Sequence, residues 1–157
     1  MMALLRGWNY NLSVNNVFLD KDHQKLTQMI NDLYDLLKKR QNATTISSAL
    51  SNIAHCAREH FNREEKLLLE QTDQNLAVQK QEHELFLAKF DEIKTNFDKG
   101  NITSTVNGLL LLNEGVLNHI MKVDRQYKIA NYQYRTDERY IQEQQNEAKE
   151  EKNLIFF

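Results

Sequence analysis

Proline is absent from this chain of 157 residues, and glycine occurs only four times. Average usage would supply roughly 8 prolines and 11 glycines in that length. Sandwiches and barrels built from strands depend on turns rich in both, so an all-β fold is disfavoured. A single cysteine, Cys56, leaves no internal disulfide framework. That fits a reducing compartment, and a cytoplasmic location is expected. Neither sign of charge dominates: 20 Lys and Arg face 22 Asp and Glu, for a net charge of −2. Such a balance carries no electrostatic footprint for nucleic acid or an anionic membrane. Long apolar runs are missing too. Leu109–Leu112 is a run of four, where a membrane span needs about 20. The stretch MMALLRGWNYNLSV has no basic region followed by an apolar segment, so no secretory signal is expected. What the chain does have is charge, at 27% of residues, and few helix breakers. Both point to an all-α fold of one domain.

Periodicity divides the chain into an arm, four helices and an extension. Residues 1–19 carry Trp8, Tyr10, Leu12, Val14, Val17 and Phe18 among four asparagines. Asparagine favours turns, so this segment reads as a non-helical arm laid across the helices. The first helix is expected from Asp20, as N-cap, to about Arg40, with His23, Leu26, Ile30, Leu33 and Leu37 on one stripe. The second opens at Thr44 or Thr45 and stops near Gln71 to Asp73. Its inward positions are Ile46, Leu50, Ile53, Ala57, His60, Glu64 and Leu67, a seven-residue seam. Asp73 is placed to cap the third helix, whose seam is Leu76, Gln79, His83, Phe86, Phe90, Ile93 and Phe97. Gly100 suits a left-handed residue at its end. The fourth seam runs Leu109, Leu112, Val116, His119 and then Val123 or Asp124. Four amphipathic helices with short connections predict an up-down-up-down four-helix bundle over residues 1–130. Residues 131–157 form a polar extension, expected to be helical, that ends in Leu154-Ile155-Phe156-Phe157. That apolar tip suits self-association or a partner.

The anomaly lies inside the stripes. His23, His60, Glu64, Gln79, His83 and His119 occupy positions that the period assigns to the core. One such histidine is ordinarily a satisfied core residue. Here four of the five histidines point inward, one from each helix. A buried carboxylate without a partner costs several kcal/mol, and no lysine or arginine shares these stripes. A metal satisfies several imidazoles and carboxylates at one level of a bundle. His60 and Glu64 are four apart, as are Gln79 and His83, so each pair shares a face. His119 and Asp124 are five apart, about 140° around an ideal helix, and spacing alone favours Val123. His55 falls off the seam and reads as a surface residue. Cys56 reads as a buried inert thiol. Glu65, next to Glu64, is expected to face solvent.

At these residues the sequence resembles the single-domain bacterial hemerythrins. The resemblance covers about residues 8–130. It rests on Trp8, LDKDHQKL around His23, HFNREE from His60, QEHELF around His83 and NHIMKVD from Asn118 to Asp124. It implies two iron ions, a non-haem diiron centre with oxo and carboxylate bridges, and dioxygen as the ligand. It makes His23 and His60 ligands of the oxygen-binding iron and His83 and His119 ligands of the other. Glu64 and Asp124 then bridge both. Two positions depart from the family pattern. Gln79 stands where the family has a further histidine ligand, and a neutral amide is a weaker donor. Gly115, four before His119, stands where bacterial members commonly have tryptophan, which implies a cavity or channel there unless a neighbour fills it. Glutamates three before histidine are missing, which sets aside a ferritin-like carboxylate site.

Three functions stay open on this reading. The first is a reversible dioxygen binder for storage, transport or sensing, not an enzyme. The second is a diiron enzyme acting on peroxide, dioxygen or nitric oxide. The third is a bundle with a degraded metal site that serves as an interaction module.

Overall fold

The computed structural model describes residues 7–14, 16–70 and 74–124, with the isolated positions 145, 146 and 149. Four helices carry the chain: α1 (Val17–Lys38), α2 (Ala43–Glu70), α3 (Leu76–Asp98) and α4 (Ile102–His119). A 3₁₀ turn, Tyr10–Leu12, precedes them, and a π-helical turn, Ile120–Asp124, continues α4. Each helix packs on the next in sequence, and α1 also meets α4, which closes the four into a bundle. The core runs along its axis through Leu26, Ile30, Leu33, Leu50, Ile53, Phe90, Leu109 and Leu117, all buried.

Helix α1 starts earlier than the sequence predicts. Asn16, not Asp20, is the N-cap: its Oδ1 accepts hydrogen bonds from the amides of Phe18 and Leu19. Val17 and Phe18 are therefore helical and do not belong to the arm. Asp20 is buried and ties the arm down instead. Its carboxylate accepts from the Ser13 hydroxyl at 2.6 Å and the Val14 amide at 2.9 Å. Asn42 does the same capping work for α2, accepting from the Thr45 amide. Helices α1 and α3 both end in left-handed residues, Arg40 (φ 53°) and Gly100 (φ 77°). Glycine adopts that conformation without cost, whereas Arg40 carries a penalty of about 1 kcal/mol.

The stripes hold with one shift. Leu68, not Leu67, is the fully buried residue at the end of α2, with Leu67 only partly covered. A straight α-helix drifts by about 20° per heptad from a strict seven-residue seam, and α2 is four heptads long. The capping role of Asp73 and the helical character of the whole extension lie outside the described residues.

Candidate metal centre

Four helices deliver one ring of buried polar side chains. Helix α1 brings His23, α2 brings His60 and Glu64, and α3 brings Gln79 and His83. His119 closes α4, and Asp124 closes the π turn. All seven are buried apart from His119, whose side chain is 15% exposed. The π turn explains how Asp124 reaches the ring. Its hydrogen bonds span five residues instead of four, so the fifth residue after His119 lies one turn on and not 140° away. Asp124 is fully buried as a result, and Val123 is not.

The two carboxylates each face two ways. Glu64 Oε1 lies 3.2 Å from His23 Nε2 and 3.0 Å from His60 Nε2, while its Oε2 lies 3.0 Å from His83 Nε2. Asp124 Oδ2 lies 3.2 Å from His23 Nε2, and its Oδ1 lies 3.0 Å from His119 Nε2. Two overlapping donor groups result. One is His23, His60, Glu64 and Asp124; the other is Glu64, His83 and His119. Each has ligand atoms within 4.8 Å of one another. Gln79 adds an amide beside them: its Nε2 donates to Asp124 Oδ1 at 2.7 Å.

Charge in this ring is mutually arranged. Burial alone would lower the pKa of His23, but the carboxylates of Asp124 and Glu64 beside it outweigh burial and hold His23 at about 10. His60 and His119 rise against burial in the same way, driven by Glu64 and Asp124 respectively. Burial would raise Glu64, yet the charge of His60 and the imidazoles of His23 and His83 beside it take it well below its usual value. Asp124 is also lowered, by His119 and His23, against burial and the charge of Glu64. The field therefore favours cations among the imidazoles.

Several atoms of the ring remain without an aligned hydrogen bond. They include His23 Nδ1, His83 Nε2, His119 Nε2, Asp124 Oδ2 and Gln79 Oε1, all buried. His83 and His119 each place Nε2 at 3.0 Å from a carboxylate oxygen without the angle a hydrogen bond needs. Nitrogen and oxygen donors that converge on a point without bonding one another are a fit for a bound cation.

A supporting layer fixes the imidazoles from outside. Asp22 Oδ2 lies 3.1 Å from His60 Nδ1, and Arg63 holds that carboxylate with two hydrogen bonds of 2.8 Å. Glu65 Oε1 lies 2.9 Å from His83 Nδ1. The expectation that Glu65 faces solvent is thus corrected: its side chain is 24% exposed and turns inward to His83. The Phe61 ring stacks on the His83 ring, with centroids 3.9 Å apart. Metal-binding histidines characteristically have such partners on their second nitrogen. Spacing along a helix does not reveal these groups, because they act across helices or one position off the seam. His55 is exposed and Cys56 buried, as the sequence predicts.

The pattern of the hemerythrin HHE cation binding domain matches residues 15–128. The chain belongs to the hemerythrin family. This bacterial hemerythrin-type chain is 27% identical over 121 residues to a bacteriohemerythrin of Pseudomonas aeruginosa, covering 76% of this chain and 77% of the relative. A bacteriohemerythrin of Stenotrophomonas maltophilia is 27% identical over 127 residues, 80% of each chain. That of Methylococcus capsulatus is 25% identical over 126 residues, 80% of this chain and 95% of the relative. The fold matches a crystal structure of a hemerythrin point mutant with a TM-score of 0.72 and 23% identity, over 81% of this chain and 97% of that one. The hemerythrin-type bundle is thus a metal-binding domain. Among the described residues no helix is long and apolar enough to cross a membrane.

Proposed function

We propose that this chain holds two iron ions and binds dioxygen reversibly, for storage, delivery or sensing. The observation that carries the reading is the two-way placement of Glu64 and Asp124. Each sends one oxygen toward one donor group and the other oxygen toward the second. Two carboxylates so placed suit two cations far better than one. His23 and His60 would hold one iron, His83 and His119 the other, with Glu64 and Asp124 shared and Gln79 beside the second. When bound, iron supplies the redox chemistry that dioxygen needs.

The chain's own residues do three things. Imidazoles and carboxylates hold the cations, and Asp22 and Glu65 fix the orientation of His60 and His83. Apolar side chains exclude water. Leu26, Phe86 and Leu112 line the space next to the ring, while Ile30 and Phe90 are buried in the core beyond it.

The test is the visible spectrum of iron-loaded protein. Dioxygen should change it, removal of dioxygen should restore it, and His60→Ala should abolish the change. Iron-loaded protein whose spectrum ignores dioxygen overturns the reading. One observation favours a diiron enzyme acting on peroxide, dioxygen or nitric oxide: a cavity leads from the surface to the ring. Sustained consumption of peroxide by iron-loaded protein would identify that alternative.

A further inference from the structure

Three imidazoles of the ring have a carboxylate facing Nδ1, and each carboxylate comes from the helix before. Asp22 of α1 faces His60 of α2 at 3.1 Å, and Glu65 of α2 faces His83 of α3 at 2.9 Å. Glu82 of α3 faces His119 of α4 at 3.8 Å, beyond hydrogen-bonding distance. His23 belongs to the first helix, and its Nδ1 has no hydrogen-bond partner. Among the described residues, Asp22 is the one of the three carboxylates that an arginine holds.

The hold is specific. Arg63 Nε donates to Asp22 Oδ2 and Nη2 to Oδ1, both at 2.8 Å. Oδ2 is also the oxygen that faces His60 Nδ1. Arg63 follows His60 by three residues on α2, so both partners of Asp22 stand on one face of that helix. The Asp22 side chain is 18% exposed, and water competes for its oxygens. A planar guanidinium that takes both oxygens fixes the plane of the carboxylate as well as its place, which a point charge does not. On its outer side Arg63 Nη1 lies 3.6 Å from Glu59 Oε2. A chain of contacts thus runs from a surface residue, 47% exposed, through one carboxylate to a buried imidazole.

We propose that Arg63 is a positioning residue for the cation position at His60. It locks the Asp22 carboxylate against His60 Nδ1, and so keeps His60 Nε2 turned to the ring, where it lies 3.0 Å from Glu64 Oε1. The fork carries the effect and the charge alone does not. The proposal rests on the reading of the ring as a metal centre.

Iron release from the loaded full chain to excess chelator tests it, followed by the absorbance of the iron–chelator complex. Loss of the carboxylate partner of a metal-binding histidine costs about 10- to 100-fold in affinity, so Asp22→Asn should release iron about tenfold faster. Arg63→Gln should speed release by a similar factor, and Arg63→Lys should follow it, because an ammonium keeps the charge and loses the fork. In the double variant Asp22→Asn/Arg63→Gln the second change should add nothing, since Arg63 acts through Asp22. An arginine that only staples α1 to α2 gives a different result: Arg63→Gln then lowers the unfolding midpoint and leaves release at the wild-type rate. That result overturns the proposal, as does a double variant in which the two effects multiply. Wild-type release in Arg63→Lys overturns the fork. Arg63→Lys replaces Arg63→Gln in the comparison if the latter does not fold. A chain that loads no iron overturns the metal-centre reading, and metal-free protein then decides the role of Arg63. By NMR the His60 Nδ1 proton should exchange with water faster in Arg63→Gln than in wild type. Equal exchange overturns the positioning role.

Discussion

Glu65 and Gln79 are the residues whose neighbours most change what their positions suggest. Glu65 sits one step off the inward seam, yet its carboxylate meets His83 Nδ1 at 2.9 Å. It fixes which His83 nitrogen faces the ring, and loss of such a partner typically costs 10- to 100-fold in metal affinity. Glu65→Gln should therefore retain the helical spectrum but lose metal to a chelator about tenfold faster. Unchanged release would mean that Glu65 is only a surface carboxylate. Gln79 faces the ring and donates a hydrogen bond from Nε2 to Asp124 Oδ1 at 2.7 Å. In Gln79→Leu a buried carboxylate oxygen loses that donor, which costs about 1–3 kcal/mol. Thermal unfolding should show the loss directly. In Gln79→His an imidazole enters the three-donor group, and metal occupancy should rise with slower release. If Gln79→His leaves occupancy unchanged, position 79 serves Asp124 alone.

At the scale of elements, the π turn is the device that completes the ring. Residue spacing makes most of the bundle legible: the stripes through His23, His60, His83 and His119 all face inward as the period requires. It fails where a hydrogen-bond pattern departs from the α-helix. Nothing in Ile120–Asp124 announces a wider turn, so regular geometry selects Val123, and only the family resemblance selects Asp124. The start of α1 differs from the spacing's prediction for a related reason. Asn16 and Asp20 are both good caps, and the choice depends on Asp20 being pulled aside by Ser13 and Val14. Spacing does not reveal the supporting groups Asp22 and Glu65, because their partners come from other helices. Deleting Lys122, which is exposed, tests the π turn. The deletion leaves His119 and Asp124 four residues apart, and an α-helical turn then suffices. Helix content should survive if the extra residue only sets phase, while Asp124 no longer needs the wider pitch. Metal content near that of wild type is expected if the turn relaxes to α-helix with Asp124 still facing the ring. Loss of metal with helix content intact would show that the wide turn itself positions Asp124.

On the scale of the whole molecule, the ring couples cations to stability. Its imidazoles and carboxylates are buried together, so cations bound there stabilise the folded chain by mass action. The metal-free chain should show a characteristic pH dependence. His23 keeps its proton up to about pH 10 when folded but only to about 6.5 when unfolded. The folded chain therefore holds more protons across that window, and stability should fall as pH rises through it. Glu64 and Asp124 act with the opposite sign. Their folded pKa values lie below 4.5 and 3.8 respectively, so their contribution is present above those values and lost as pH falls. Denaturant titrations of metal-free protein should thus show a decline from pH 6.5 to 10 that is shallower in His23→Gln. An equal slope in that variant would show that His23 does not couple to folding.

The central claim is that the imidazoles of His23, His60, His83 and His119 and the carboxylates of Glu64 and Asp124 hold a pair of irons. Iron analysis of purified, reconstituted protein tests it most directly, with each chain counted by amino-acid analysis. Two irons per chain are expected, because Glu64 and Asp124 each serve two donor groups. A chain that saturates at one iron, or takes up none, would contradict the account.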